Sequence, residues 1–146
     1  MNHYPSWWNE TITIYNKYKD PSSNLITWFR HVVDGAFWKD VGNKINIGDT
    51  VIETDAIICR IRKDDVFLPN YEWLVLDEKE DNYTLGKGDI IIRGVVEDEV
   101  DEYVNGQKSS DLVRKYKDLQ GCMTIDKVTI NIEGGRGNEH YLVQGK

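Results

Sequence analysis

The residue types that most often perform chemistry are present in this sequence, but their spacing forms no catalytic or metal-binding motif. Zinc sites need histidines or cysteines a few residues apart, whereas His3, His31 and His140 are widely separated. Cys59 and Cys122 form no CxxC pair, and each lies in an apolar run, where a small buried side chain is the usual role. The sequence therefore predicts no metal site, no cofactor and no catalytic residue.

A glycine-rich stretch at residues 134–137 superficially resembles a phosphate-binding loop. It lacks the Gly-Lys-Ser/Thr ending, and no helix is predicted after it to place an N-terminal end beside a phosphate. We interpret it as a turn between the last two strands. The many carboxylates form no pattern that separates a hydrolytic pair from surface charge. A small hydrolase whose carboxylates converge only after folding is the enzyme alternative.

Two acidic segments and one aromatic pair are the candidate binding residues. The segment 77–81 and the run 97–102 are typical of solvated loops, and the run lacks the ligand spacing of a calcium loop. Trp7 and Trp8 precede the first predicted strand, where they either cap a barrel end or anchor a neighbouring protein. The candidate interface residues are Trp7, Trp8, Asp77, Glu78, Glu80, Asp81, Glu97, Asp98, Glu99, Asp101 and Glu102.

Length and charge narrow the class of protein. The 146 residues suit one domain, with residues 1–10 as a terminal arm and residues 62–88 and 97–109 as long loops. A net charge of −7 argues against a general nucleic-acid binder, which needs a basic face to release counterions. No apolar run is long enough to cross a bilayer, and no apolar signal segment follows Met1. We expect no membrane span and no secretory signal.

The pattern of alternation predicts a mainly β fold. Short strands with period-two alternation and turn signals between them favour a small antiparallel β-barrel or sandwich, with one short α-helix near residues 110–118. Asp34 and Gly35 are predicted to interrupt the chain between two extended segments, 25–33 and 36–39. The predicted centre of the core comprises Ile57, Ile58, Ile61, Ile90, Ile92, Val95, Ile125 and Val128.

A series of short motifs, in order along almost the whole chain, resembles a known family. The motifs are Thr-Ile-Tyr-Asn-Lys-Tyr at 13–18, Ile-Thr-Trp-Phe-Arg at 26–30, Gly-Ala-Phe-Trp-Lys-Asp-Val at 35–41, Leu-Gly-Lys-Gly-Asp-Ile-Ile at 85–91, Ser-Asp-Leu at 110–112 and His-Tyr-Leu-Val-Gln-Gly-Lys at 140–146. In this order they resemble small head–tail connector or neck proteins (head-closure-like, minor-capsid-type) of tailed phages and prophages of Gram-positive bacteria.

The resemblance implies a virion structural protein and no enzyme. It implies a small β-barrel that is repeated in a ring around the DNA channel, with portal, adaptor or tail proteins as neighbours. DNA would then pass nearby without specific binding, and assembly would take place in the host cytoplasm. The alternative is a phage-encoded acidic inhibitor that binds the basic groove of a host defence protein through the run 97–102.

Overall fold

In the part of the chain that the structure describes, six strands and two short helices follow one another. The structure, a computed structural model, describes residues 4–103, 106–131 and 139–146; for 41–47 and 50–55 it describes the backbone. The glycine-rich turn predicted at 134–137 lies outside the described residues. The elements are β1 (Glu10–Lys19), β2 (Ile26–Ile47), β3 (Thr50–Arg62), α1 (Asn70–Trp73), β4 (Ile90–Arg93), α2 (Ser109–Lys117), β5 (Cys122–Asn131) and β6 (His140–Gly145).

The strands close into an antiparallel barrel in the order β1-β2-β3-β6-β5-β4. This confirms the predicted mainly β fold and selects the barrel over the sandwich. The predicted helix near 110–118 is α2, and the four-residue helix α1 is an element that the sequence did not indicate.

Strand β1 lies at the centre of the packing because both of its faces are covered. Ile12 and Ile14 are fully buried inside the barrel. Tyr15, which points the other way, is covered by Leu112 and Tyr116 of α2 in a second apolar cluster. Residues of β1 alternate between the two faces of the sheet, so one strand stabilises both clusters.

The break predicted at Asp34 and Gly35 is wrong, because β2 runs through both residues as one strand. The register against β1 shifts there, from Ile12 paired with Val33 to Glu10 paired with Ala36. Gly35 adopts a φ of 76°, which is accessible to glycine and lets the extra residue bulge without ending the strand. The turn signal therefore marks a bend of the barrel wall.

The second half of β2 and the first half of β3 form a hairpin that extends past the barrel. Their pairing continues from Val41 with Ala56 to Ile47 with Thr50. Among the described residues, β1 pairs with β2 no further than Ala36, and β6 pairs with β3 no further than Ile57. Residues 41–56 therefore pair with one another alone in the described part of the chain, and we call them the hairpin arm.

Five residues of the predicted core, Ile57, Ile61, Ile90, Ile92 and Ile125, are buried. Ile58 and Val128 are only partly buried, and the prediction is wrong for Val95. Val95 is 57% exposed, whereas Val96 is buried. Strand β4 ends at Arg93, and Gly94 follows with a φ of 93°. Val95 therefore lies beyond the end of the strand, while Val96 packs in the same cluster as Ile90 and Ile92.

The contrast between two neighbouring residues provides a stability test. Ile92 is fully buried between α2 and the barrel. Ile92→Ala should lower the free energy of unfolding by roughly 2–5 kcal/mol through lost burial and a residual cavity. Val95→Ala, the exposed control, should change it by less than about 0.5 kcal/mol. Urea denaturation of both variants measures the difference, and equal losses would contradict this placement.

Candidate interaction surfaces

The long segment between β3 and β4 closes one end of the barrel. Tyr83 and Leu85 are buried in the interior cluster, and Phe67 packs against it. Trp73 is fully buried, and its ring meets the edges of Tyr18 and Phe29 with centroids 6.3 and 5.7 Å away. The segment is therefore built into the barrel at the end where β1 finishes.

A buried carboxylate fastens the end of this segment to β1. Asp89 accepts hydrogen bonds from the backbone N–H of Lys17 and of Gly86 and from Asn16 Nδ2, each at 2.9 Å. Asn16 also donates to the carbonyl oxygen of Thr84 at 2.6 Å. Burial raises the pKa of Asp89 to about 6, although the three N–H donors by themselves would lower it. Asp89 is thus a buried carboxyl group that accepts three hydrogen bonds.

The side chain of Lys79 points inward, so its ammonium group is buried. Its residue is only 6% exposed, and its ammonium group lies 4.2 Å from the Tyr18 ring centroid and 5.5 Å from that of Trp73. It also donates to the carbonyl oxygen of Leu76. Cation–π contact and this hydrogen bond satisfy the ammonium locally. Lys79 therefore stabilises the segment instead of balancing the acids around it.

An apolar face on α1 points away from the barrel. Tyr71 lies in α1, Leu74 is the C-cap residue of this helix, and Val75 follows directly after it. They are 72%, 39% and 79% exposed, while Trp73 points inward. Exposed apolar side chains that cluster and have a polar rim are typical of protein–protein contact surfaces.

The acidic residues predicted at 77–81 follow these apolar residues directly in the sequence. Asp77, Glu78, Glu80 and Asp81 are all exposed, as is Glu72 of α1. Because Lys79 is buried, no basic side chain within residues 72–81 is exposed beside these acids. We call Tyr71, Leu74, Val75 and these five acids the acidic knob.

The acidic run 97–102 has a different character, because two of its carboxylates bind the barrel and α2. Asp98 accepts hydrogen bonds from Lys115 Nζ at 2.8 Å and from the Tyr116 hydroxyl. Glu102 accepts from Trp28 Nε1 at 3.0 Å and from the backbone N–H of Ser109 at 3.1 Å. The run is therefore partly a structural connection between α2 and the barrel wall.

The pKa values of these two carboxyls follow from the same contacts. Burial alone would raise both, but the bonds from Lys115 and Tyr116 hold the pKa of Asp98 below its usual range. The bonds from Ser109 and Trp28 do the same for Glu102. The exposed residues of the run are Glu97, Glu99 and Asp101. Asp101 already accepts a hydrogen bond from the backbone N–H of Tyr103 at 2.9 Å, so Glu97 and Glu99 are the residues of the run to test for contact with a partner.

The two adjacent tryptophans have opposite environments. Trp8 is 7% exposed and packs against Tyr4 and His140, with ring centroids 5.5 and 5.2 Å away. Its carbonyl oxygen accepts a hydrogen bond from Arg62 Nη2 at 2.8 Å. Trp7 is 64% exposed. Trp8 therefore fixes the N-terminal segment to the barrel wall, and Trp7 is the member of the pair that a partner can reach.

A polar cleft of about 300 Å³ lies beside this segment, lined by Tyr4, Asp34, Arg62, Lys63 and Asp64. Most of its polar groups already have partners. The Arg62 guanidinium stacks over the Tyr4 ring at 5.1 Å, and Lys63 pairs with Glu139 at 3.0 Å. Asp64 accepts hydrogen bonds from two backbone N–H groups and from the Tyr83 hydroxyl. These contacts hold the N-terminal segment and the loop after β3.

Within the described part of the chain, no three His, Cys, Asp or Glu residues are placed to hold a metal ion. Cys59 and Cys122 are both free and buried, and burial raises the pKa of the Cys122 thiol to about 12. Neither thiol is a poised nucleophile. No helix in the described residues has the length and apolar character to cross a membrane.

The structure brings a further set of residues to one surface that the sequence did not single out. Tyr71 was not part of any prediction, and Leu74 and Val75 belonged to an apolar run, 73–76, without an assigned role. The sequence signal that could have revealed these residues is their i, i+3 and i+4 spacing. The buried Trp73 lies between them in the sequence and obscures this pattern. A four-residue helix is too short for this periodicity to stand out from its surroundings.

The fold and surfaces define a closed six-stranded antiparallel barrel with a two-stranded arm, a plugged end and an exposed acidic, apolar knob. A model of a family described as a family of unknown function (DUF6751) matches residues 7–146. The chain belongs to that family. No curated protein and no solved structure matches the chain.

Proposed function

We propose that the protein is a structural component of the head–tail neck of a tailed phage or prophage of Gram-positive bacteria, forming part of a ring around the DNA channel. The proposal starts from the ordered series of motifs that resembles such proteins. Portal, adaptor or tail proteins are its expected neighbours, and the virion its expected location.

The hairpin arm is the observation that best supports this proposal. A two-stranded hairpin on its own is only marginally stable in water. The arm pairs Ile45 with Ile52 and Asn43 with Thr54, and its outer backbone edges have no partner among the described residues. Contact with an adjacent subunit would stabilise both strands, and a ring supplies such a subunit at every position.

The charge of the chain is compatible with a place beside DNA. With 25 acidic and 18 basic residues, a ring of subunits presents repeated negative charge. Phosphates are repelled by such a wall, so DNA slides past it instead of binding. Glu97, Glu99 and Asp101 are the exposed acids of the run 97–102 that suit this role.

Shortening the arm tests the proposal. Replacing residues 43–54 with Asn-Gly joins the paired Gly42 and Asp55 by a two-residue turn and leaves the barrel pairing intact. Native mass spectrometry and negative-stain microscopy should detect a ring for the original protein and a folded monomer for the shortened one. Val95→Ala, an exposed change outside the arm, is the control and should retain the ring.

Two results would overturn the proposal. One is a protein that stays monomeric at high concentration and is absent, by mass spectrometry, from phage particles of the source strain. The other is an unchanged ring after the arm is shortened, which would remove the arm from the assembly. A monomer that binds a host defence protein with a basic groove would favour the inhibitor, because the acidic knob also suits that role.

A further inference from the structure

We infer that the acidic knob is a docking site for a different protein, one that offers an apolar socket with a rim of lysine or arginine side chains. In the neck, which is the function proposed above, that protein would be the neighbour above or below the ring. The acidic knob would then bind a different protein, and the hairpin arm would contact an adjacent copy of this chain.

Rigid presentation of the apolar face supports this assignment. Tyr71, Leu74 and Val75 are exposed, yet the helical turn that carries them is anchored by the buried Trp73. The Trp73 Nε1–H donates to the carbonyl oxygen of Asn82 at 3.1 Å, which holds α1 against the end of the acidic stretch 77–81. Binding through a rigid element loses little conformational entropy, so an exposed tyrosine on it makes an effective anchor.

The charge around the apolar face determines the chemistry of the partner. Glu72, Asp77, Glu78, Glu80 and Asp81 are exposed, and the one lysine among them, Lys79, is held under the surface by two aromatic rings. Within residues 72–81 the exposed charged side chains are therefore all acidic, and the electrostatic complement of this segment is basic.

The same charge argues against a second copy as the occupant. The chain carries a net charge of −7, so another copy would on average repel an acidic rim. Like charges placed opposite one another suppress association with the wrong partner. The complement of the knob therefore lies on a different protein.

A defined peptide tests the chemistry of the surface without knowledge of the partner. The probe is a short synthetic amphipathic helix of leucine and lysine, and its control has glutamate in place of lysine. Nuclear magnetic resonance shifts should change around residues 71–81 with the lysine peptide alone. Tyr71→Ser with Val75→Ser, or Glu72→Gln with Asp77→Asn and Glu78→Gln, should weaken binding by about tenfold or more.

Matched variants elsewhere on the surface separate specific from general attraction. Leu119→Ser is the apolar control, and Glu97→Gln with Glu99→Gln is the charge control; both sets of residues are exposed. These variants should bind the lysine peptide as the original protein does. Equal loss in the control variants, or shifts centred on residues 97–102, would overturn the assignment.

Cross-linking in assembled particles identifies the occupant. A photoreactive amino acid at position 75, where Val75 is 79% exposed, should form an adduct with a different virion protein. An adduct with a second copy would overturn the inference. Absence of the protein from particles would count against the neck function alone, because the peptide experiment does not depend on it.

Discussion

Trp73→Ala should lower the free energy of unfolding by about 3–5 kcal/mol, the usual range for removing a fully buried tryptophan. The indole is fully buried, packs against Tyr18 and Phe29, and lies 5.5 Å from the Lys79 ammonium. Its loss leaves a cavity at the barrel end and removes part of the aromatic surface that holds Lys79. Urea denaturation followed by circular dichroism measures the change.

Trp7→Ala is the matched control, since Trp7 is 64% exposed. It should change the free energy of unfolding by less than about 0.5 kcal/mol. A single transition is expected for Trp73→Ala, because Tyr83 and Leu85 of the same segment belong to the interior cluster. Equal unfolding midpoints for the two variants would show that the segment is not part of the barrel core.

Asp89 should make the protein less stable as the pH rises from about 4 to 6. The folded state raises the pKa of this carboxyl from 3.8 to about 6, so the folded chain keeps a proton that the unfolded chain has lost. The state that binds more protons is favoured at lower pH, and the stabilisation is lost through this window. A shift of this size corresponds to about 3 kcal/mol.

Comparison with Asp89→Asn isolates this contribution from that of every other titrating group. Between pH 4 and pH 6.5 the original protein should lose about 2 kcal/mol of stability relative to Asp89→Asn, because the unfolded chain has already lost part of its proton at pH 4. Asp98 and Glu102, whose pKa values are lowered, act in the opposite sense but cancel in the difference. A flat difference across this pH range would contradict the assignment.

Alternation of β-branched and polar residues along the chain was sufficient to predict two of the strands. The alternation predicts strands over residues 11–18 and 122–132, and β1 and β5 begin and end within about one residue of these bounds. The acidic first turn and the apolar spacing of Leu112 and Tyr116 likewise predicted α2. These signals are local, so they survive without knowledge of the rest of the fold.

Features that depend on distant pairing were not predictable. The sequence predicts that Gly35 interrupts the strand. Only the pairing of β2 with β1 shows that Gly35 lies in a bulge within β2. The position of Val95 depends on Gly94, whose N–H donates to the Thr11 carbonyl oxygen. The burial of Lys79 requires Tyr18, which lies some sixty residues earlier in the chain. Composition alone would have counted that lysine as surface charge.

For the candidate interface residues, the sequence identified the acidic side chains but not which of them are free of structural hydrogen bonds. It predicted the acids at 77–81, which are exposed, without the apolar face beside them. It also treated the run 97–102 as uniform, whereas Asp98 and Glu102 accept hydrogen bonds that hold α2. Amide substitution of the whole run would therefore disturb folding, and Glu97 and Glu99 are the appropriate pair to change.

Closure of the barrel also determines the order in which the protein is able to fold during synthesis. Ile12 pairs with Arg93, and Ile57 pairs with Gly145, so two of the seams join segments some eighty residues apart. Contacts of such large sequence separation form slowly. While the ribosome is still translating the later strands, β1, β2 and β3 expose open edges that are prone to wrong pairing. The free edge of β3 stays open until residues 140–145 have emerged and β6 pairs with it.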